Sequence, residues 1–320
     1  MGHLLDGSWT ENETLVENAG GMYVKKPSIF RNRIEPDPAA EFPAESGRYH
    51  LYAAVSCPWA HRTVLYRALK KLDAIVELHA VEQVVGGQGW TFPDGGHVVP
   101  GTDARVKYLH QLYTISDPAC TTRVTVPTLW DARTRRVVNN ESSEIIRVFN
   151  SAFAAFAPPT PDYYPEALRA EIDAMNEFTL KGVNNAVNGC GRSSTQAAYE
   201  ESFHLLFRTL DALEERLGEQ RYLCGPRQTE ADWRLFPNLV RFDPISYQGY
   251  KCNLRRIEDY PNLSNYLRDL WQTPGVAEVC DIEGMKRGVF GPAGPIKSSG
   301  IIPLGPWIDH GRPHDRARFG

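Results

Sequence analysis

Tyr49-His50-Leu51-Tyr52-Ala53-Ala54-Val55-Ser56-Cys57-Pro58-Trp59-Ala60-His61-Arg62-Thr63-Val64 is a short strand, a sharp turn carrying a cysteine, and the start of a helix. Tyr49 to Val55 is rich in β-branched, aromatic and small residues, the composition of a buried strand. Pro58 suits the first turn of a helix, where a missing N–H costs nothing. Cys57 therefore sits at or next to a helix N-cap, facing unpaired N–H groups and the positive end of the helix dipole. That position lowers a thiol pKa from about 8.5 and favours a nucleophilic thiolate. The bland alternative for a free cysteine is an inert core thiol.

Outward from this stretch the pattern alternates. A helix is predicted from Pro58 to Leu72, with Ala60, Val64, Leu65, Ala68, Leu69 and Leu72 at helical spacing, and a second strand over Ile75–Val81. This βαβ unit should be parallel and right-handed. Residues 86–101 read as a loop carrying Trp90 and Phe92, and its glycines do not have dinucleotide-fingerprint spacing. A helix is expected over Asp103–Tyr113. Arg123–Asp131 reads as a strand whose Val126–Pro127 bond is a candidate cis peptide, with Arg135–Asn139 as its hairpin partner. Asn140-Glu141-Ser142 opens a further helix. The order β-α-β-α-β-β-α is that of a thioredoxin-like α/β unit.

A Pro/Ala-rich linker follows from Ser151 to Pro165, and the periodicity is helical thereafter. Helices are expected over Pro165–Val187, Gln196–Leu217, Glu230–Val240 and Leu263–Trp271. Thr229-Glu230-Ala231-Asp232 is a capping-box pattern. The predicted organisation is an extension (1–48), a thioredoxin-like domain (49–150), an all-helical domain (165–285) and a Gly/Pro-rich tail (286–320). In the extension, Trp9, Met22, Tyr23, Ile29 and Phe30 are apolar enough to dock on the body.

Composition bounds the function. The 320 residues suffice for about two domains. With 42% apolar residues and a net charge of −4 there is no signature of disorder or of nucleic-acid binding. No apolar run approaches the ~18 residues of a membrane span, and no signal peptide is visible. The six cysteines are scattered without a C-x-x-C pair, so neither zinc nor a disulfide framework is expected, and a reducing cytoplasm is the simplest compartment.

Around Cys57 the sequence supplies a peptide-binding set. The backbone of Val126 suits an extended peptide. The helix start at Glu141–Ser142 offers N–H groups and a hydroxyl to a carboxylate, and Glu141 can answer an ammonium. Arg123 can take a second carboxylate in bidentate fashion, and Trp90 can cover the ligand or donate its indole N–H. Each has an ordinary reading as surface charge, core or cap. Together they fit a small peptide with two carboxylates, an amine and a thiol, namely glutathione as co-substrate, with no metal.

The chain resembles the glutathionyl-hydroquinone reductases, the Xi class of glutathione transferases. The resemblance rests on Cys57-Pro58-Trp59-Ala60-His61-Arg62, Gly89-Trp90-Thr91-Phe92, Arg123-Val124-Thr125-Val126-Pro127, Asn140-Glu141-Ser142, Thr229-Glu230-Ala231-Asp232-Trp233-Arg234-Leu235, Val240-Arg241-Phe242-Asp243-Pro244 and Gly305-Pro306-Trp307. It implies the glutathione transferase fold, a homodimer, Cys57 as nucleophile, and Trp90, Arg123, Val126, Glu141 and Ser142 as the glutathione site. The implied reaction is reductive deglutathionylation of glutathionyl-hydroquinones or a related electrophile. Three tyrosines that the family places around its second substrate are expected at positions occupied here by Asn188, Ser246 and Val289. An asparagine donates hydrogen bonds but is no general acid near neutral pH. Two rivals follow: a general thiol transferase on mixed disulfides, and a non-catalytic ligand-binding relative, which has no need of a helix-capping thiolate.

Overall fold

The computed structural model describes residues 2–11, 20–22, 27–84, 87–93, 95–296 and 299–320. Tyr23 and Gly86 lie outside them. The chain divides into two compact units: Met1–Leu15, Lys26–Pro161 and Glu283–Ile301 form the first, and Val16–Lys25, Asp162–Ile282 and Ile302–Gly320 the second.

The first unit opens with a hairpin absent from the sequence reading, β1 (His3–Leu5) and β2 (Ser8–Thr10). Asp6 and Gly7 make its turn at φ 46 and 74, the left-handed pair that an Asp-Gly dipeptide favours. Leu4 then pairs through its backbone with Thr122. Trp9 stacks on His110, and Phe30 meets Tyr113 edge-on. Ile29 does not dock as expected: it is 51% exposed.

The central sheet has four strands in the order β10-β9-β3-β4. The strand β3 (Tyr49–Ala53) is buried throughout, as its apolar run requires. The helix α1 (Pro58–Leu69) follows and ends before Leu72, because Lys71 turns left-handed at φ 54. The strand β4 (Val76–Ala80) returns parallel to β3, with His50 opposite Glu77 and Tyr52 opposite His79. The expected loop holds short ladders: β5 (Glu82–Val84) pairs with β6 (Gly89–Thr91), and β7 (His97–Val98) with β8 (Arg105–Val106). That second ladder delays the expected helix, and α2 runs Leu109–Ser116. Gln111 caps it by accepting the N–H groups of Lys107 and Tyr108 at 2.8 and 3.0 Å. Only Thr128–Asp131 of the proline-containing segment is a ladder strand, β9. It lies antiparallel to β3 and is joined by β10 (Arg136–Asn139). The helix α3 (Ser142–Ser151) completes the unit. One face of the sheet buries Tyr52, Trp90, Phe92, Leu109, Leu112, Tyr113 and Trp130 in a single apolar cluster.

In the second unit the expected first helix is segmented. A 3₁₀ turn (Glu166–Leu168) leads into α4 (Arg169–Thr179), a π turn (Leu180–Asn185) and α5 (Ala186–Arg192). Then come α6 (Gln196–Glu219), the wholly buried α7 (Glu230–Arg241), a π turn (Phe242–Ser246), α8 (Tyr247–Gly249) and α9 (Pro261–Trp271). The capping box forms: Asp232 accepts from Thr229 N at 2.7 Å, and also from Leu223 N and the Tyr266 hydroxyl. A helix not anticipated in the tail, α10, spans Ile282–Phe290. No helix among the described residues is long and apolar enough to cross a membrane.

One buried ion pair ties the start of β3 to the end of β9, the two inner strands of the central sheet. Arg48 donates from Nε and Nη2 to the two oxygens of Asp131 at 2.8 and 2.6 Å, and Asp131 also accepts from Thr134 Oγ1 and Arg133 N. Burial alone would raise the Asp131 pKa, but these hydrogen bonds outweigh it and hold the carboxyl below its ordinary range. Its contribution is therefore full at neutral pH and is lost as pH falls through that depressed value. Arg48→Met, which strands the carboxylate, should cost about 3–5 kcal/mol in urea unfolding at pH 7. The difference from the parent protein should shrink at pH 3.

Candidate active site

Cys57 closes the turn after β3 and is the N-cap of α1, with extended backbone at φ −91 and ψ 115 and Pro58 beginning the helix. Its N–H donates to Ala54 O at 3.1 Å, and its carbonyl accepts the His61 N–H at 3.0 Å. Cys57 is half-buried, whereas the other five cysteines are buried. Burial pushes the thiol of Cys120 up to about 11 and those of Cys224 and Cys280 up to about 12, which makes them inert near neutral pH. Cys57 thus combines access with a helix terminus.

Facing the sulfur is the segment before β9. Cys57 Sγ lies 3.7 Å from the carbonyl of Val126, and the Val126–Pro127 peptide is cis. The Val126 N–H has no hydrogen-bond partner among the described residues, so an edge is left for an extended peptide. Cys57, Val124, Val126 and Trp90 belong to one packed cluster. Trp90 is 5% exposed, and its indole N–H finds no partner among the described residues. Gly89, at φ 78, faces Trp9 so closely that a Cβ would lie 2.8 Å from the Trp9 ring. Only glycine fits there, at the residue before Trp90.

At the start of α3, Glu141 is the N-cap. Its carboxylate accepts from Ser143 N and Oγ at 3.4 and 3.2 Å and from Ser28 Oγ at 3.3 Å. The Ser142 hydroxyl is buried without a partner among the described residues. Arg123 is half-buried, and among the described residues its guanidinium makes no hydrogen bond or ion pair.

Two residues that the sequence reading missed join these pieces. The buried Tyr113 hydroxyl lies 3.1 Å from Thr125 O, 2.9 Å from Thr128 Oγ1 and 3.2 Å from Asn140 Nδ2. Asn140 Nδ2 also reaches Thr125 Oγ1 at 3.3 Å. The residues on both sides of Val126–Pro127 are thereby tied to the residue preceding the α3 cap. An Asn beside a cap motif was the available signal; Tyr113 gave none, being one aromatic of an ordinary amphipathic helix. A further contact comes from α10. Gly288 packs on the turn before Cys57, where a Cβ would lie 2.6 Å from Ser56 Cβ.

The first unit thus brings together Cys57, Trp90, Val126 and, through Asn140, Glu141 and Ser142; Arg123 precedes Val124 in the same segment. Val289 also belongs to this unit, buried beside Gly288. Asn188 and Ser246 lie in the helical unit. Asn188 Nδ2 donates to Asn184 O at 2.9 Å along α5, and Ser246 is buried, its carbonyl accepting from Tyr250 N and Cys252 N. Tyr250 covers Gly191, three residues beyond Asn188 on α5, at a distance where a Cβ on Gly191 would clash.

Residues 56–152 match the family model described as "Glutathione S-transferase, N-terminal domain", and residues 196–269 match "Glutathione S-transferase, C-terminal domain". The chain is 46% identical to the glutathionyl-hydroquinone reductase PcpF of Sphingobium chlorophenolicum over 96% of each sequence. It is 42% identical to the glutathionyl-hydroquinone reductase YqjG of Escherichia coli over the whole of both. Among solved structures, the glutathione-bound YqjG superposes with a TM-score of 0.87 at 41% identity, covering 99% of this chain and 100% of that one. A Xi-class transferase from Natrialba magadii superposes at 0.88 and 36% identity, covering 100% and 97%. The architecture of this chain is the glutathione transferase fold, an α/β thioredoxin-like unit and an all-helical unit.

Removing the Tyr113 hydroxyl leaves buried partners unsatisfied without changing the ring. Tyr113→Phe should lower the unfolding free energy by about 1–3 kcal/mol, measured by denaturant titration followed by circular dichroism.

Proposed function

The chain belongs to the glutathionyl-hydroquinone reductases, the Xi class of glutathione transferases, and from that premise we propose that Cys57 performs glutathione-dependent reductive deglutathionylation of glutathionyl-hydroquinones or a related electrophile. The observation that carries this reading is the half-buried Cys57 at the N-cap of α1, with the Val126 carbonyl 3.7 Å from its sulfur. Buried unpaired donors on Trp90 and Ser142, the open N–H of Val126, the Glu141 carboxylate and the Arg123 guanidinium supply the polar contacts that glutathione requires.

In the first step the Cys57 thiolate attacks the sulfur of the glutathionyl-hydroquinone. A sulfur–sulfur bond forms, the carbon–sulfur bond breaks, and the ring carbon takes the electron pair and a proton to leave as hydroquinone. A second glutathione, as thiolate, then attacks the mixed disulfide at the glutathione sulfur. Glutathione disulfide departs and the Cys57 thiolate is restored. The aryl carbon gains two electrons; the substrate's thioether sulfur and the thiol of one free glutathione give one each and leave joined as the disulfide. The enzyme acts as a homodimer in a reducing cytoplasm.

A second reading, a thiol transferase on mixed disulfides, is favoured by the residues at the three positions where the family resemblance implies tyrosines. Asn188, Ser246 and Val289 offer no phenol to protonate a carbon leaving group, and a thiolate leaving group needs none. Tyr250, which follows α8, brings a phenol against Gly191, on the same stretch of α5 as Asn188.

Exposure to glutathione disulfide should add one glutathione to Cys57 by mass spectrometry, and Cys57→Ser should lose the adduct; an adduct retained in the variant would remove Cys57 from the nucleophile role. In a panel pairing glutathionyl-hydroquinones with a simple mixed disulfide, activity should be higher on the disulfide. Equal or greater turnover of the hydroquinones would show that the three missing phenols do not limit the reaction, and Tyr250→Phe would then test the replacement.

A further inference from the structure

We propose that His50, Glu77 and His79 form a binding site for one divalent first-row transition ion of the zinc class. The site is independent of the glutathione chemistry.

The parallel register creates it. His50 and Tyr52 point to one face of β3, and Glu77 and His79 to the same face of β4, with His50 opposite Glu77 and Tyr52 opposite His79. One donor atom from each of His50, Glu77 and His79 falls within 4.8 Å of the others. His50 Nδ1 is 3.0 Å from His79 Nε2 and 3.4 Å from Glu77 Oε2; His79 Nε2 is 3.9 Å from Glu77 Oε1. An ion bound tetrahedrally at zinc–nitrogen and zinc–oxygen lengths sets its donor atoms about 3.3 Å apart; the two separations from His50 straddle that value, and the longer one from His79 runs to the other oxygen of Glu77.

The rings are held by packing. His50 stacks on His79 at 5.2 Å, Tyr52 also stacks on His79 at 4.9 Å, and His97 tilts against His79 at 4.6 Å. The Tyr52 hydroxyl fixes His97 Nε2 at 2.9 Å. Both ligand imidazoles are mostly buried, while the Glu77 side chain is 65% exposed and keeps a path to solvent. Two imidazoles and one carboxylate are a donor set that borderline divalent ions prefer over magnesium or calcium. One carboxylate leaves a net positive charge, so a water or an anion completes the coordination.

In the ion-free form His50 Nδ1 and His79 Nε2 share one proton. On binding, that proton moves to the far nitrogen of the ring that held it, and both facing nitrogens present lone pairs; no net proton is released. The ion then bridges β3 to β4, a cross-strand staple on the strand that leads to Cys57.

The test is zinc titration of the full chain carrying Cys57→Ser, which removes the one cysteine that is not buried. Calorimetry should give one equivalent, and cobalt in place of zinc should show tetrahedral visible bands. Glu77→Gln alters an exposed side chain, so folding is preserved, and it should weaken binding about tenfold or more. His79→Asn should abolish it. Absence of saturable zinc binding, or equal affinity in Glu77→Gln and the parent, would overturn the assignment.

Discussion

The hydroxyl of Tyr113 is the point on which the site's geometry depends. It is sealed inside the first unit, within hydrogen-bond distance of Thr125, Thr128 and Asn140. Those residues flank the Val126–Pro127 peptide on both sides and precede the cap of α3. A buried phenol with three partners cannot slip without leaving polar groups unsatisfied, each at a cost of about 1–3 kcal/mol. The edge opposite Cys57 and the hydroxyl of Ser142 are thus placed by one shared anchor rather than by two independent loops.

Strand β3 connects this arrangement to the rest of the unit. Its alternation sends Tyr49 and Leu51 to one face and His50 and Tyr52 to the other, and its end delivers Cys57 to the N-cap of α1. It is hydrogen-bonded on both sides, to β4 and β9. A central strand is the least compliant part of a sheet, which suits the role proposed for the Cys57 thiol. The same rigidity keeps His50 in register with Glu77. Close backbone approaches finish the site: Gly89 under Trp9 and Gly288 on Ser56 allow contacts that any side chain would break.

Much of the first unit was legible in the residues. The Cys-Pro pair, the Val-Pro pair and the Asn-Glu-Ser cap carry local signals, because helix termini and cis-prone bonds are decided by neighbours in the chain. The helix expected over Asp103–Tyr113 began later, since β8 took Arg105 and Val106 into a ladder with residues near His97. Likewise the apolarity of Ile29 suggests docking, whereas the backbone of residues 30–32 carries the contact with β10 and Asn140. The expectation that no metal binds rests on cysteine spacing; the proposed site instead uses His50 and His79, separated by 28 intervening residues, with Glu77 two residues before the second histidine.

From the residue order alone follow the α/β-then-all-α architecture, the placement of a cysteine at a helix start, and the set of polar residues proposed to hold glutathione. Those are consequences of short-range preferences: periodicity, capping and the missing N–H of proline. Tertiary structure alone decided that Tyr113 and Asn140 hold the site, that Trp90 and Ser142 keep unspent donors, and that His50, Glu77 and His79 share one face. These depend on strand register and burial, which couple residues distant in the chain and leave no trace in local composition.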